Sequence, residues 1–117
     1  MSPEQAFEIV TNGLASQQWE KSWAPSTHSH AGMDCKLRSP DGKKCALGWL
    51  IPDEKYDPSM DKWGTEWPLP DISQDLLNDM RKGHDHSFSP RDMWSCFSRI
   101  AEKYKFPFTH QAPRVDR

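Results

Sequence analysis

Four prolines (Pro52, Pro58, Pro68 and Pro70) fall between positions 52 and 70, and no long regular element survives that density. Proline fixes its own φ and lacks the N–H that a helix or central strand needs, so this stretch is expected to form turns and short 3₁₀ pieces. Regular structure must lie on either side of it.

On the N-terminal side, Ser2-Pro3-Glu4-Gln5 reads as a helix start. Ser2 can cap, Pro3 suits the first helical position and Gln5 completes a capping box. Phe7, Val10 and Leu14 recur at helical spacing, which predicts a helix over 3–18. Gly13 lies inside it, at about 1 kcal/mol relative to Ala. Residues 22–32 are polar and read as a loop. Pro40-Asp41-Gly42 then suits a three-residue hairpin turn. That register pairs Leu37 with Cys45 and Cys35 with Leu47, leaving Lys36, Arg38, Lys44 and Ala46 on the opposite face. The run from Ala46 to Ile51 can equally begin a buried helix.

Beyond the proline segment, Asp71 can cap a helix with Gln74 as its reciprocal partner. Ile72, Leu76 and Met80 line one face of it, and Gly83 ends it. Ser89-Pro90-Arg91-Asp92 opens a last helix, with Met93, Phe97, Ile100, Ala101 and Tyr104 along one side. The expected fold class is α+β: three helices packed with a short β-hairpin and an irregular Pro/Trp-rich segment. A single globular domain over 1–104 followed by an extended, basic-ended tail over 105–117 is the expected organisation.

Composition narrows the functional classes. Leu, Ile, Val and Phe supply only 18 of 117 residues, a level that invites disorder when net charge is high. Here the net charge is −2, and six Trp, five Met and two Tyr add apolar bulk, so an aromatic-rich folded domain is expected. The near-neutral balance argues against strong duplex nucleic-acid binding. Three cysteines suit no secreted disulfide framework. No run approaches the ~18 apolar residues of a membrane span, and no basic flank precedes an apolar N-terminal run. A cytoplasmic protein without a membrane partner is the expectation.

Four constellations can carry chemistry. His28, His30, Cys35 and Cys45 supply four zinc ligands, although without the close cysteine pairs of a structural site; otherwise the cysteines are small buried packing residues and no cofactor is required. His84-Asp85-His86 can serve as an acid–base pair or as a polar inter-helix loop. Asp53, Glu54, Asp57 and Asp61 can hold a cation, but lack the spacing of a calcium loop and read better as a charged helical turn. The fourth is a ligand pocket. Lys36, Arg38, Lys43 and Lys44 would attract phosphate, and Trp49, Trp63 and Trp67 would stack on a base. The competing reading is a solvated basic turn above core indoles.

Residues 41–60, DGKKCALGWLIPDEKYDPSM, resemble a motif of small phage and bacterial proteins of unassigned activity. The pattern is D-G-x-K-C-A-x-G-x-L-I-P-D-x-x-Y-D-P, with a cysteine upstream. Asp41, Gly42, Lys44, Cys45, Ala46, Gly48, Leu50, Ile51, Pro52, Asp53, Tyr56, Asp57 and Pro58 fit it, and Cys35 stands upstream. The resemblance implies a short accessory protein of a phage, acting in the host cytoplasm. By analogy, such proteins often oppose host immunity. The expected function is therefore counter-defence: capture of a small anionic, nucleotide-derived signal without turnover, with His84 and His86 at the pocket rim. A homo-oligomer would enclose the ligand between subunits. The alternatives are a protein–protein inhibitor of a host defence complex, with Trp residues as anchors, and a nucleotide-cleaving hydrolase using His84 and His86.

Overall fold

A computed structural model of the 117-residue chain describes residues 2–25, 33–35, 38–39, 42–57 and 72–113. Three α-helices make its frame: α1 Pro3–Ser16, α2 Gln74–Asp85 and α3 Pro90–Tyr104. Each starts on a serine. Ser2 accepts from Gln5 N–H while the Gln5 side chain accepts from Ser2 N–H, the reciprocal box read from the sequence. Ser89 caps α3 ahead of Pro90. The cap of α2 is Ser73, and Asp71 lies outside the described residues.

The fold is helical, which corrects the α+β expectation. Among the described residues, the hairpin expected across Cys35–Leu47 is reduced to one antiparallel bridge, Arg38 with Lys44. Of its turn, Pro40 and Asp41 lie outside the described residues; Gly42 has φ +89, and Ser39 N–H bonds to the Lys43 carbonyl at 2.9 Å. The ladder fails to extend because both of its ends are used elsewhere. Cys35 lies opposite Trp23, in a pairing of Trp23–Pro25 with Met33–Cys35 that is three residues long. Leu47 starts a 3₁₀ helix, Leu47–Leu50, which buries Leu47 and Leu50. Burying two leucines and a half-buried indole outweighs continuing a ladder with a basic outer face.

The core is formed by Phe7, Val10 and Leu14 of α1, Leu76 and Met80 of α2, and Met93, Phe97 and Ile100 of α3, with Leu47, Leu50 and Ile51 inserted beside them. Gly83 was expected to end α2 but lies inside it. A Cβ there would sit 3.3 Å from Phe97 Cε2 and 3.4 Å from Ile100 Cδ1, so glycine sets the closeness of α2 to α3. After α3, Lys105 adopts a left-handed φ of 61 and Phe106 N–H returns to the Ala101 carbonyl at 2.8 Å. The segment that follows docks. Phe106 and Phe108 pack against Phe7 with ring centroids 5.2 and 6.2 Å away, and Trp94 Nε1 donates to the His110 carbonyl at 2.9 Å.

Gly13 explains itself by a close approach. A Cβ built on it would lie 2.1 Å from Trp49 Cδ2, so the α1 backbone is the surface on which the indole rests. Gly13→Ala should gain about 1 kcal/mol in helix propensity but lose more to overlap, for a net loss of about 1–3 kcal/mol. Urea unfolding measures it, with exposed Asn12→Ala as the control. A raised Gly13→Ala midpoint would contradict the contact.

Candidate functional site

The candidate site is the segment from Arg38 to Tyr56, held in place by side chains instead of a ladder. The Gln17 amide donates to the Lys44 carbonyl at 2.7 Å and accepts from Lys44 N–H at 3.0 Å. Ser22 Oγ donates to the Lys43 carbonyl at 3.1 Å. Arg38 ties the far end. Its Nη1 donates to the Gly48 carbonyl at 3.1 Å, and its Nη2 to the Ile51 carbonyl at 2.8 Å. The Gly48 carbonyl also accepts the Ile51 N–H that closes the 3₁₀ helix, so Arg38 adds a second donor there and a first one at the Ile51 carbonyl.

Two of the predicted cations converge. Arg38 Nη2 and Lys44 Nζ lie 2.8 and 3.3 Å from one oxygen, Asp53 Oδ1. The Arg38 and Lys44 side chains are 17 % and 22 % exposed, whereas Asp53 is 77 % exposed, so the anion is the outer, accessible member. Arg38, then Lys44, hold the Asp53 carboxyl below its ordinary pKa by hydrogen bonding and charge. Aromatic rings frame the pair. Arg38 Cζ is 4.5 Å from the centre of the Tyr56 ring, and Lys44 Nζ is 4.6 Å from that of Trp49.

The remaining predicted residues disperse. Lys43 turns to Glu20, Nζ to Oε2 3.2 Å. Trp49 is half-buried, has one face on Gly13, and leaves its Nε1 buried without a hydrogen-bond partner. His84 is fully buried: its Nε2 accepts Ser22 N–H at 3.3 Å, and its Nδ1 lies 2.9 Å from Asp85 Oδ1. Its Nε2 thus joins α2 to the chain after α1, while its Nδ1 stays with the neighbouring residue of its own helix. His86 is exposed, so the two histidines face no common space. Lys36, Trp63 and Trp67 lie outside the described residues, as do the candidate ligands His28 and His30, while the Cys35 side chain is likewise not described. Cys45 is half-buried against the core. Among the described residues no three His, Cys, Asp or Glu side chains converge as a metal site, and no helix is long and apolar enough to cross a membrane.

Sequence reasoning missed Asp53 as the partner of the basic residues, and Gln17 as their anchor. The P-D pair at 52–53 was readable as a charged turn; nothing in the sequence placed Gln17 beside Lys44. Comparison with family models, curated proteins and solved structures finds no match.

A second carboxylate, Asp79, tests the electrostatics. It accepts from Lys103 Nζ at 2.8 Å and from the Tyr104 hydroxyl at 2.7 Å. The Lys103 bond above all, aided by Tyr104 and opposed by partial burial, lowers its pKa. A carboxyl lowered by folding stabilises the protein above its unfolded pKa of about 3.9, and that contribution is lost as pH falls through the folded value. Melting temperature should therefore drop below about pH 4. Asp79→Asn should lower it at pH 7 and flatten the acid decline. An unchanged slope would refute the assignment.

Proposed function

We propose that this protein is a non-catalytic binding protein that captures a phosphate-bearing, nucleotide-like molecule at the Arg38–Lys44 pair. The observation that carries the reading is the convergence of two mostly shielded cations on one exposed carboxylate oxygen. Asp53 stands where a ligand oxyanion would bind. Exposed ion pairs contribute only about 0–1 kcal/mol, so this carboxylate is held weakly. A phosphate brings more charge and more acceptor oxygens to the same donors. Tyr56, beside Arg38, offers an aromatic edge for a base.

Capture without turnover fits the site's composition of two cations, two rings and a carboxylate already bound to the cations. The resemblance of residues 41–60 to a motif of small phage proteins supports a counter-defence setting, in which the ligand is a host immune signal removed by stoichiometric binding. In that setting the protein acts in the host cytoplasm.

A second reading is favoured by Phe88. This ring is 95 % exposed in the turn between α2 and α3, the kind of aromatic that anchors protein interfaces. It would make the protein an inhibitor that docks on a host defence protein.

Calorimetry against cyclic and linear nucleotides separates the two readings. Under the capture reading at least one nucleotide binds, Lys44→Gln weakens it about tenfold or more, and Asp53→Asn tightens it by removing the internal competitor. Recovered ligand is intact by mass spectrometry. Absence of heat from every nucleotide, with the protein shown folded, defeats capture.

A further inference from the structure

A different part of the molecule carries the more accessible positive charge. Along the outside of the α2–α3 pair runs a groove of roughly 340 Å³, bordered by Lys82 and His86 on α2 and by Arg99 and Lys103 on α3, with Cys96 and Ile100 between them. The spacing is helical. Arg99 and Lys103 are four residues apart on α3, and Lys82 on α2 is four residues before His86, the residue that caps α2, so both sides of the groove carry a basic side chain. Gly83 brings the helices close enough for the two rows to face one ligand.

Charge inside the groove is not balanced. Asp79 is the acid that lines it, and this carboxylate is already bound to Lys103 Nζ and the Tyr104 hydroxyl. Among the described residues Lys82 has no ion pair, and the guanidinium of Arg99 is bonded to no carboxylate. Arg99 Nη2 lies 3.4 Å from Cys96 Sγ, so the exposed guanidinium leans toward the groove. Arg99 and Lys103 are like charges one turn apart, an arrangement unfavourable to the helix that carries it. Lys82 acts on Asp79 through its charge alone, without a direct ion pair among the described residues.

We infer that this groove is a second anion site, taking a compound that carries two or more phosphoryl groups. Its charges come in two rows, one from each helix, so a single phosphate reaches one row whereas linked phosphates bridge both. Guanidinium and ammonium groups together suit such a ligand, the first by directed hydrogen bonds and the second as a mobile point charge. The site does not depend on the Arg38–Lys44 reading and stands if that reading falls.

The test uses inorganic tripolyphosphate as probe and the full chain as receptor, with calorimetry for affinity and amide NMR for location. Wild type should bind, with shifts concentrated at residues 82–86 and 96–103. The double variant Lys82→Gln, Arg99→Gln replaces exposed residues with one of comparable helix propensity, so circular dichroism should be unchanged. It should lose at least about tenfold in affinity. Exposed Lys105→Gln, outside both sites, should leave the affinity as it was. Orthophosphate should bind more weakly than tripolyphosphate by a similar factor. The proposal is overturned if wild type shows no shifts at residues 82–86 and 96–103, if the double variant shows them as wild type does, or if Lys105→Gln removes them equally.

Discussion

The Gln17 amide donates to the Lys44 carbonyl and accepts from the Lys44 N–H, and the placement of every charged group at the candidate site follows from that pair. A side chain here supplies the two hydrogen bonds that a neighbouring strand would have made. The backbone at Lys44 is satisfied without a sheet, so the chain is free to coil into the 3₁₀ helix three residues later. Gln17 is itself positioned by an unusual turn. Gln18 and Trp19 both have positive φ, 55 and 60, which is costly for side chains with a Cβ. Burial of the Trp19 ring against Phe97 and Phe108 offsets that strain. The end of α1, the aromatic core and the basic segment are thus one mechanical unit.

Legibility of the fold followed the range of the interactions. Local signals were readable: the serine caps at Ser2 and Ser89, the helical stripe of α3 and the glycine turn at Gly42 depend on neighbours a few residues apart. Even the register of the abortive hairpin, Arg38 against Lys44, was present in the turn residues. What could not be read was competition at a distance. Cys35 finds Trp23 rather than Leu47, and Trp49 finds Gly13, 36 positions earlier, so a helix-weakening glycine is instead a seat for an indole. Phe106 and Phe108 carry no periodic signal, and only the aromatic cluster around Phe7 makes that segment part of the packed molecule.

The candidate site was legible as composition and not as geometry. Lys44 and the Trp49 indole do lie close in space, but the cations spend much of their capacity internally. Arg38 supports two carbonyls as well as Asp53, and Lys43 is turned to Glu20. His84, whose sequence neighbours suggested an accessible polar edge, is a buried strut between α2 and Ser22. Charge counting cannot foresee this, because the cost of leaving a carbonyl or an N–H unpaired inside the protein commits polar side chains before any ligand arrives.

The functional account turns on whether Asp53 is a permanent structural partner or a stand-in for a ligand. Its carboxyl carbon can be followed by ¹³C NMR through an acid titration, with and without a nucleoside diphosphate. If the ligand's phosphate takes over Arg38 and Lys44, Asp53 is released from the interaction that lowers its pKa, and its titration midpoint moves upward toward the ordinary aspartate range. A midpoint that stays put while the nucleotide is shown to be bound would contradict the account.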